Sequence, residues 1–467
     1  MKYYDDTSAQ SIVAFAKKMV GKRLRDLIGA EQLNDLEEKL DGYANRRKGH
    51  FGDLVEEYVF HKKVDNLSQP DFPLAGVELK TTPLKKHATK RYVAKERLVF
   101  SMIDYMSIIY EEWKSSSFLK KNKLLLLMFY LYDCESSKLD YEFKIVCLLD
   151  LLHNLDDRDI VQIEDDWTYI VAKIKKGEAH LLSEGDTVYL GAVTKAANSK
   201  VRREQPCSEE PAKPRAFSLK QSYLNQIIQD SLPGSKDALE SLFKSSDRPQ
   251  PIEELISSRC SKFYGRTENE IANELGVTYE KRPKNFRRLL VNRMLKIESN
   301  KVKEFEKANI TLKVIALESS GRLTESISFP TFKYEELVKT SWEESDFYMQ
   351  LSTKKFLFMV FRKIDENESI FEKFQFWNFP MKDIDKAQWV WEETVKRIRE
   401  HKADALPRIS ESSVVHVRPH ARNKEDVYAT GYGTFEVKKC FWLNAKYIEE
   451  QLKIKDNGLN LDGTRYI

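Results

Sequence analysis

Cysteine is scarce in this chain and poorly placed. The 467 residues hold five, Cys134, Cys147, Cys207, Cys260 and Cys440, with no Cys-x-x-Cys pair. That excludes a disulfide-stapled scaffold and a thiolate zinc site, and points to a reduced, cytoplasmic protein. Long apolar runs are missing too. The longest, Leu124 to Tyr132, is far too short to cross a bilayer and reads as a buried strand. The first residues carry no basic-then-apolar signal pattern. There is no P-loop, dinucleotide glycine fingerprint, His-Glu-x-x-His or zinc-finger spacing, which counts against nucleotide-driven, redox and zinc chemistry. An excess of charge of one sign is also nearly absent, with 77 Lys and Arg against 73 Asp and Glu. A net +4 does not by itself demand a nucleic-acid partner, although basic residues cluster at Arg46-Arg47-Lys48, Lys85-Lys86, Lys120-Lys121, Arg202-Arg203 and Arg287-Arg288.

What remains is a soluble globular composition, 41% hydrophobic and 32% charged, with length for two domains. The most informative stretch is Asp71-Phe-Pro-Leu-Ala-Gly-Val-Glu78-Leu-Lys80. Leu74 to Thr81 reads as a strand bounded by Pro73 and Pro83. Residues two apart on a strand share a face, so Glu78 and Lys80 enter one site together, and Asp71 turns in from the strand's entrance. Two carboxylates and an ammonium suit a divalent cation and a water, the equipment of metal-assisted phosphodiester hydrolysis.

Around this motif the pattern predicts helices over Ser11–Ile28, Phe51–Phe60, Glu96–Trp113, Asp157–Lys175 and Leu219–Leu232. Strands are expected over Leu124–Tyr132 and Tyr141–Leu149, and a mobile basic loop over 201–216. The second half repeats this order. Pro70–Lys80 lies over Lys303–Lys313, matching Phe72 to Phe305, Leu79 to Leu312 and Lys80 to Lys313. Lys120-Lys121 before an apolar strand is answered by Lys354-Lys355. Val193–Asn198 is answered by Val417–Asn423, and Phe217–Tyr223 by Phe441–Tyr447. A long helix, about Asp383 to His401, answers Asp157–Lys175, and these five matches in one order indicate a duplicated fold. In the second copy Thr311 stands for Glu78 and Glu304 for Asp71. Losing a carboxylate from a two-carboxylate site abolishes useful Mg²⁺ binding, so the first domain is expected to be active and the second dead.

The motifs Lys48-Gly-His-Phe-Gly-Asp-Leu-Val-Glu56, Gly76-Val-Glu-Leu-Lys-Thr81, the lysine pair before Leu124, and Lys195-Ala-Ala-Asn-Ser-Lys200 carry a family resemblance. The chain resembles the MutH-like DNA endonucleases, specifically the two-domain, GATC-cutting type II restriction endonucleases of the Sau-three-A type. The resemblance implies a mixed α/β, restriction-endonuclease-like sheet flanked by helices, present as two tandem domains: a catalytic one at 1–233 and a degenerate, DNA-binding effector at 234–467. It implies Asp71, Glu78 and Glu56 as Mg²⁺ ligands. Lys80 would orient the attacking water, and Lys121, with Lys123 as the other register, would serve as a further lysine at the site. Glu57, about 100° round the helix, is not expected to reach.

For reading double-stranded DNA the candidates are Thr194, Lys195, Asn198, Lys200, Arg202 and Arg203, and in the second domain Arg418 and Trp442. Asn and Lys pair with adenine and guanine edges, and Arg with guanine. Where the MutH pattern has Arg and Tyr, this chain has Val193 followed by Thr194, and Ser218, which puts methylation-directed nicking in doubt. A homodimer on DNA and a cognate methyltransferase follow from the same resemblance. The competing expectations are a partner-activated repair nickase and a non-catalytic DNA-binding protein.

Overall fold

A computed structural model of the protein describes residues 3–42, 50–64, 67–87, 90–153, 155–196, 198, 200–232, 239–278, 282–299 and 301–453. It divides into two compact units, Met1–Leu182 with Tyr189–Ala238, and Ser183–Val188 with Leu239–Ile467.

Among the described residues the first unit carries nine strands: β1 (Val77–Lys86), β2 (Tyr92–Ala94), β3 (Leu98–Met102), β4 (Leu124–Leu131), β5 (Phe143–Asp150), β6 (Leu190–Thr194), β7 (Arg203–Gln205), β8 (Ser208–Ala212) and β9 (Arg215–Leu219). They form a sheet β2-β1-β4-β5, a second sheet β3-β9-β6 and a hairpin β7-β8. β1 and β4 run parallel, and the other neighbours are antiparallel. β4 is an almost unbroken apolar run, as a central strand covered on both faces requires. The helix Asp157–Lys175 is capped by Asp156, which accepts from the Arg158 N–H, and it buries Ile163, Trp167, Ile170 and Ile174 along one stripe.

The second unit has β10 (Ile310–Leu317), β11 (Ile327–Thr331), β12 (Lys355–Lys363), β13 (Ser369–Asn378), β14 (Val415–Pro419), β15 (Val427–Ala429), β16 (Phe435–Val437) and β17 (Lys439–Leu443). Their sheets, β10-β12-β13, β11-β17-β14 and β15-β16, repeat the first unit strand for strand. Among the described residues only β2 lacks a counterpart. Two tertiary hydrogen bonds are duplicated as well. Tyr105 donates to the Lys213 carbonyl as Tyr334 does to Val437, and Tyr223 donates to Asp159 as Tyr447 does to Asp383. The fold is mixed α/β and built twice.

Several expected boundaries move. The helix expected over Ser11–Ile28 spans only Ala9–Lys17, because the chain turns at Gly21, φ +84°, whose N–H donates to the Phe143 carbonyl. The helix expected over Glu96–Trp113 is instead β3 followed by a short helix, Tyr105–Ile108, capped by Asp104. Leu98 and Phe100 alternate into the core with the strand period. The basic loop at 201–216 is a β-hairpin pinned by the buried Gln205, whose Oε1 accepts from the Ala179 N–H at 2.7 Å. β1 begins at Val77 rather than Leu74 and runs through Pro83. That proline sits just before β2 joins the edge, where a missing N–H is tolerated.

Candidate active site

A tight reversal at the entrance of β1 explains why Asp71 and Glu78 meet. Phe72 and Val77 exchange backbone hydrogen bonds, 2.8 and 3.2 Å, across the turn Pro73–Gly76, where Gly76 takes φ +67°. The next antiparallel pair outward is Asp71 and Glu78. They clasp each other: the Asp71 N–H donates to Glu78 Oε2 (3.1 Å) and the Leu79 N–H donates to Asp71 Oδ2 (2.8 Å). Phe72 fixes the arm. It is 1% exposed, edge-on to Tyr4 and Phe60. Phe72→Ala is expected to cost about 3–5 kcal/mol of stability and to loosen Asp71; urea unfolding together with cleavage rate checks both.

The buried Glu78 carboxylate is the hub. Its Oε1 lies 2.6 Å from Lys80 Nζ and 3.8 Å from Lys121 Nζ. Lys121 also donates to the Leu67 carbonyl at 2.7 Å, which holds it beside the acid, whereas Lys123 is exposed. The helix His50–Leu54 delivers Glu56 by continuing into a π-helical turn, Val55–Val59, closed by the Phe60 N–H on the Val55 carbonyl. Such widened turns re-aim side chains at functional sites. Here Glu56 is half-buried and Glu57 exposed. Gly52 lets this helix approach β1, since a Cβ there would stand 3.2 Å from Thr81 Oγ1. Lys48 and Gly49, the start of that motif, lie outside the described residues.

The charges are in tension. Burial, then Asp71, Asp53 and Glu78, push Glu56 up to about 7 against the pull of Lys80. Burial, with Asp71 adding to it, also raises Glu78, while Lys80 and Lys121 oppose the shift. Like charges gathered out of water behave this way unless a cation neutralises them. The donors are all carboxylate oxygens, the type a hard divalent cation takes. The expected ligands Asp71, Glu78 and Glu56 feel one another's charge here without forming a closed set. Among the described residues no three Asp, Glu, His or Cys side chains are gathered closely enough to hold an ion. Glu78 is turned onto Lys80, and Asp71 onto the Leu79 N–H.

The family model for the DNA mismatch repair enzyme MutH matches residues 60–166 and 294–387, one stretch in each unit. The Type II restriction enzyme Sau3AI of Staphylococcus aureus is 31% identical, over 95% of this chain and 98% of its own length. The chain belongs to the MutH-like restriction endonuclease family. It is a site-specific deoxyribonuclease of the type II restriction class.

The expected base-reading residues of this MutH-like enzyme fall in two places. Thr194 ends β6 opposite Arg215, and Lys195, Asn198, Lys200, Arg202 and Arg203 follow it, all exposed. Lys195 lies close enough to Lys80 to feel its charge. The residue is exposed as a whole, but its ammonium end is partly buried, and this burial, with Lys80 nearby, holds its pKa below the usual lysine value. Asn198 caps its own turn, its Oδ1 accepting the Lys200 N–H at 3.0 Å. In the second unit Arg418 stacks its guanidinium 3.8 Å from the Trp442 ring, which also meets His420 edge-on. The β14–β17 register puts Arg418 and Trp442 where β6–β9 has Val193 and Ser218.

Sequence reasoning passed over Arg215. It is buried, with Nη1 donating to the Ala192 carbonyl at 2.8 Å, and nothing marks a lone arginine at the start of β9 before the pairing is known.

Proposed function

We propose that the first unit hydrolyses DNA phosphodiester bonds with Mg²⁺, at a short palindrome for which the family resemblance implies GATC. The observation that carries this is the Glu78 hub, a buried carboxylate clasped to Asp71 and facing Lys80 and Lys121. Asp71 and Glu78, with Glu56 beside them, would hold the ion, which when bound polarises the phosphate and acidifies a water. Lys80 orients the attacking water and balances charge on the phosphate, and Lys121 supports Glu78 from the other side. Thr194, Lys195, Asn198, Lys200, Arg202 and Arg203 supply phosphate and base contacts from the segment after β6.

The second unit, which has Thr311 at the register of Glu78, binds DNA without cutting and acts as an effector, with Arg418 and Trp442 on its reading surface. One active site per chain cuts one strand, so double-strand cleavage needs two chains on DNA or two successive nicks. Among the described residues no helix is long and apolar enough to cross a membrane. We place the enzyme in the cytoplasm beside a cognate methyltransferase that protects host DNA.

Purified protein incubated with unmethylated or GATC-adenine-methylated plasmid, in Mg²⁺ or EDTA, tests the reading by end sequencing. We expect Mg²⁺-dependent fragments with ends at GATC. Discrete ends elsewhere would overturn the specificity, and no cleavage of either plasmid would overturn the enzyme's autonomy.

A further inference from the structure

The active-site register is duplicated, and its charge is inverted in the second copy. β1 meets β4 with Val77 opposite Leu124 and Glu78 opposite Leu125, while β10 meets β12 with Ile310 opposite Lys355 and Thr311 opposite Phe356. Thr311 therefore stands at the position of Glu78, and Lys313 at that of Lys80. Leu54-Val55-Glu56, ahead of β1, is answered by Leu290-Val291-Asn292 on the helix Phe286–Met294 ahead of β10. The reversal that presents Asp71 is replaced by the helix Lys303–Ala308, ended by Asn309 at φ +55°. Glu304, expected at the Asp71 position, instead accepts from the Leu242 N–H and the Ser241 hydroxyl. All three acids are gone, and the lysine stays.

Cations have joined it. Lys354 immediately precedes β12, so in the parallel register it shares a face with Thr311 and Lys313. Arg288, from the preceding helix, donates through Nη1 to the Leu312 carbonyl at 3.1 Å. All three cations are half-buried. Lys354 also feels the charge of the exposed Glu306. Burial, and then Arg288, holds Lys313 below the usual lysine range. Burial and then Lys313 do the same to Lys354, and burial lowers Arg288. Such crowding costs stability unless an anion joins it.

We propose that this vestigial site grips a DNA backbone phosphate without cutting it, with Lys313, Lys354 and Arg288 as donors. The proposal rests on, and deepens, the reading of the second unit as a DNA-binding effector. The phosphodiester takes the place that the carboxylates hold in the first unit. Without a carboxylate pair to position a cation and a water, the phosphate is held intact.

The test uses the full chain in EDTA, so that nothing is cut. Binding of a labelled duplex with two GATC sites is followed across a salt series for the wild type, for Lys313→Met/Lys354→Met, and for Thr311→Glu. Thr311→Glu restores an acid that competes internally for the three cations. Both variants should bind about tenfold more weakly at low salt. Each should also lower the slope of log affinity against log salt by about 0.9, the loss of one phosphate contact. Thr311→Glu should keep or raise the thermal midpoint. Folded variants with wild-type affinity and slope overturn the proposal. So does loss of folding in both variants, which would make the cluster structural. Failure of the wild type to bind the duplex at all would overturn the effector reading on which the proposal rests.

Discussion

Glu78→Gln is expected to lower cleavage by about 10³-fold or more while leaving DNA affinity in EDTA within about threefold of wild type. The asymmetry follows from where Glu78 sits. It is 2% exposed and holds Asp71 through the backbone N–H, Lys80 at 2.6 Å and Lys121 at 3.8 Å. The neutral amide keeps the shape and still accepts a hydrogen bond, so the fold survives. It removes the negative charge that makes two lysines and a carboxylate into a cation site. DNA affinity, in contrast, comes mainly from phosphate contacts made elsewhere. Asp71→Asn should behave alike, since its Oδ2 is committed to the Leu79 N–H. Single-turnover cleavage and a gel shift on one duplex measure the two quantities. Unimpaired cutting by either variant would remove these residues from the chemistry, and lost binding with intact folding would make them DNA contacts instead.

The sequence signalled some of this and hid the rest for physical reasons. Glu78 and Lys80 were legible because a strand's period of two is a local property. The offset to Asp71 was legible too, but its cause was not. Leu74 reads as strand by composition yet is 79% exposed at the turn, and only the Phe72–Val77 pairing, a tertiary event, decides that. The π-helical turn beneath Glu56 leaves no trace in residue type. The duplication was visible as five weak matches, and the strand registers align Lys313 with Lys80 and Arg418 with Val193. The match of Glu304 to Asp71 fails, because a helix ended by the left-handed Asn309 has replaced a hairpin. Lys354 and Arg288 are distant in sequence and converge only once β10 pairs with β12. In the chain Arg287-Arg288 is one basic pair among several.

Glu56 makes the second large prediction, a dependence on pH. Its pKa is raised from 4.5 to about 7, chiefly by burial and then by Asp71, Asp53 and Glu78. Cleavage by a site that needs this carboxylate ionised should rise between about pH 6 and 8, and higher Mg²⁺ should move the rise to lower pH, since the ion competes with the proton. Stability runs the other way. Below pH 4.5 Glu56 is protonated both folded and unfolded and contributes nothing. Between 4.5 and about 7 the unfolded chain releases a proton that the folded one retains, so stability falls as pH rises, and it levels off above 7. Glu56→Gln removes that loss. In EDTA its thermal midpoint should exceed that of the wild type at pH 8 and match it at pH 4.5, while its cleavage falls about 10²-fold or more. Mg²⁺ should raise the wild-type midpoint more at pH 8 than at pH 5.5, and should raise that of the variant less. Equal midpoints at pH 8, or full activity in the variant, would show that Glu56 is only a helix-surface acid.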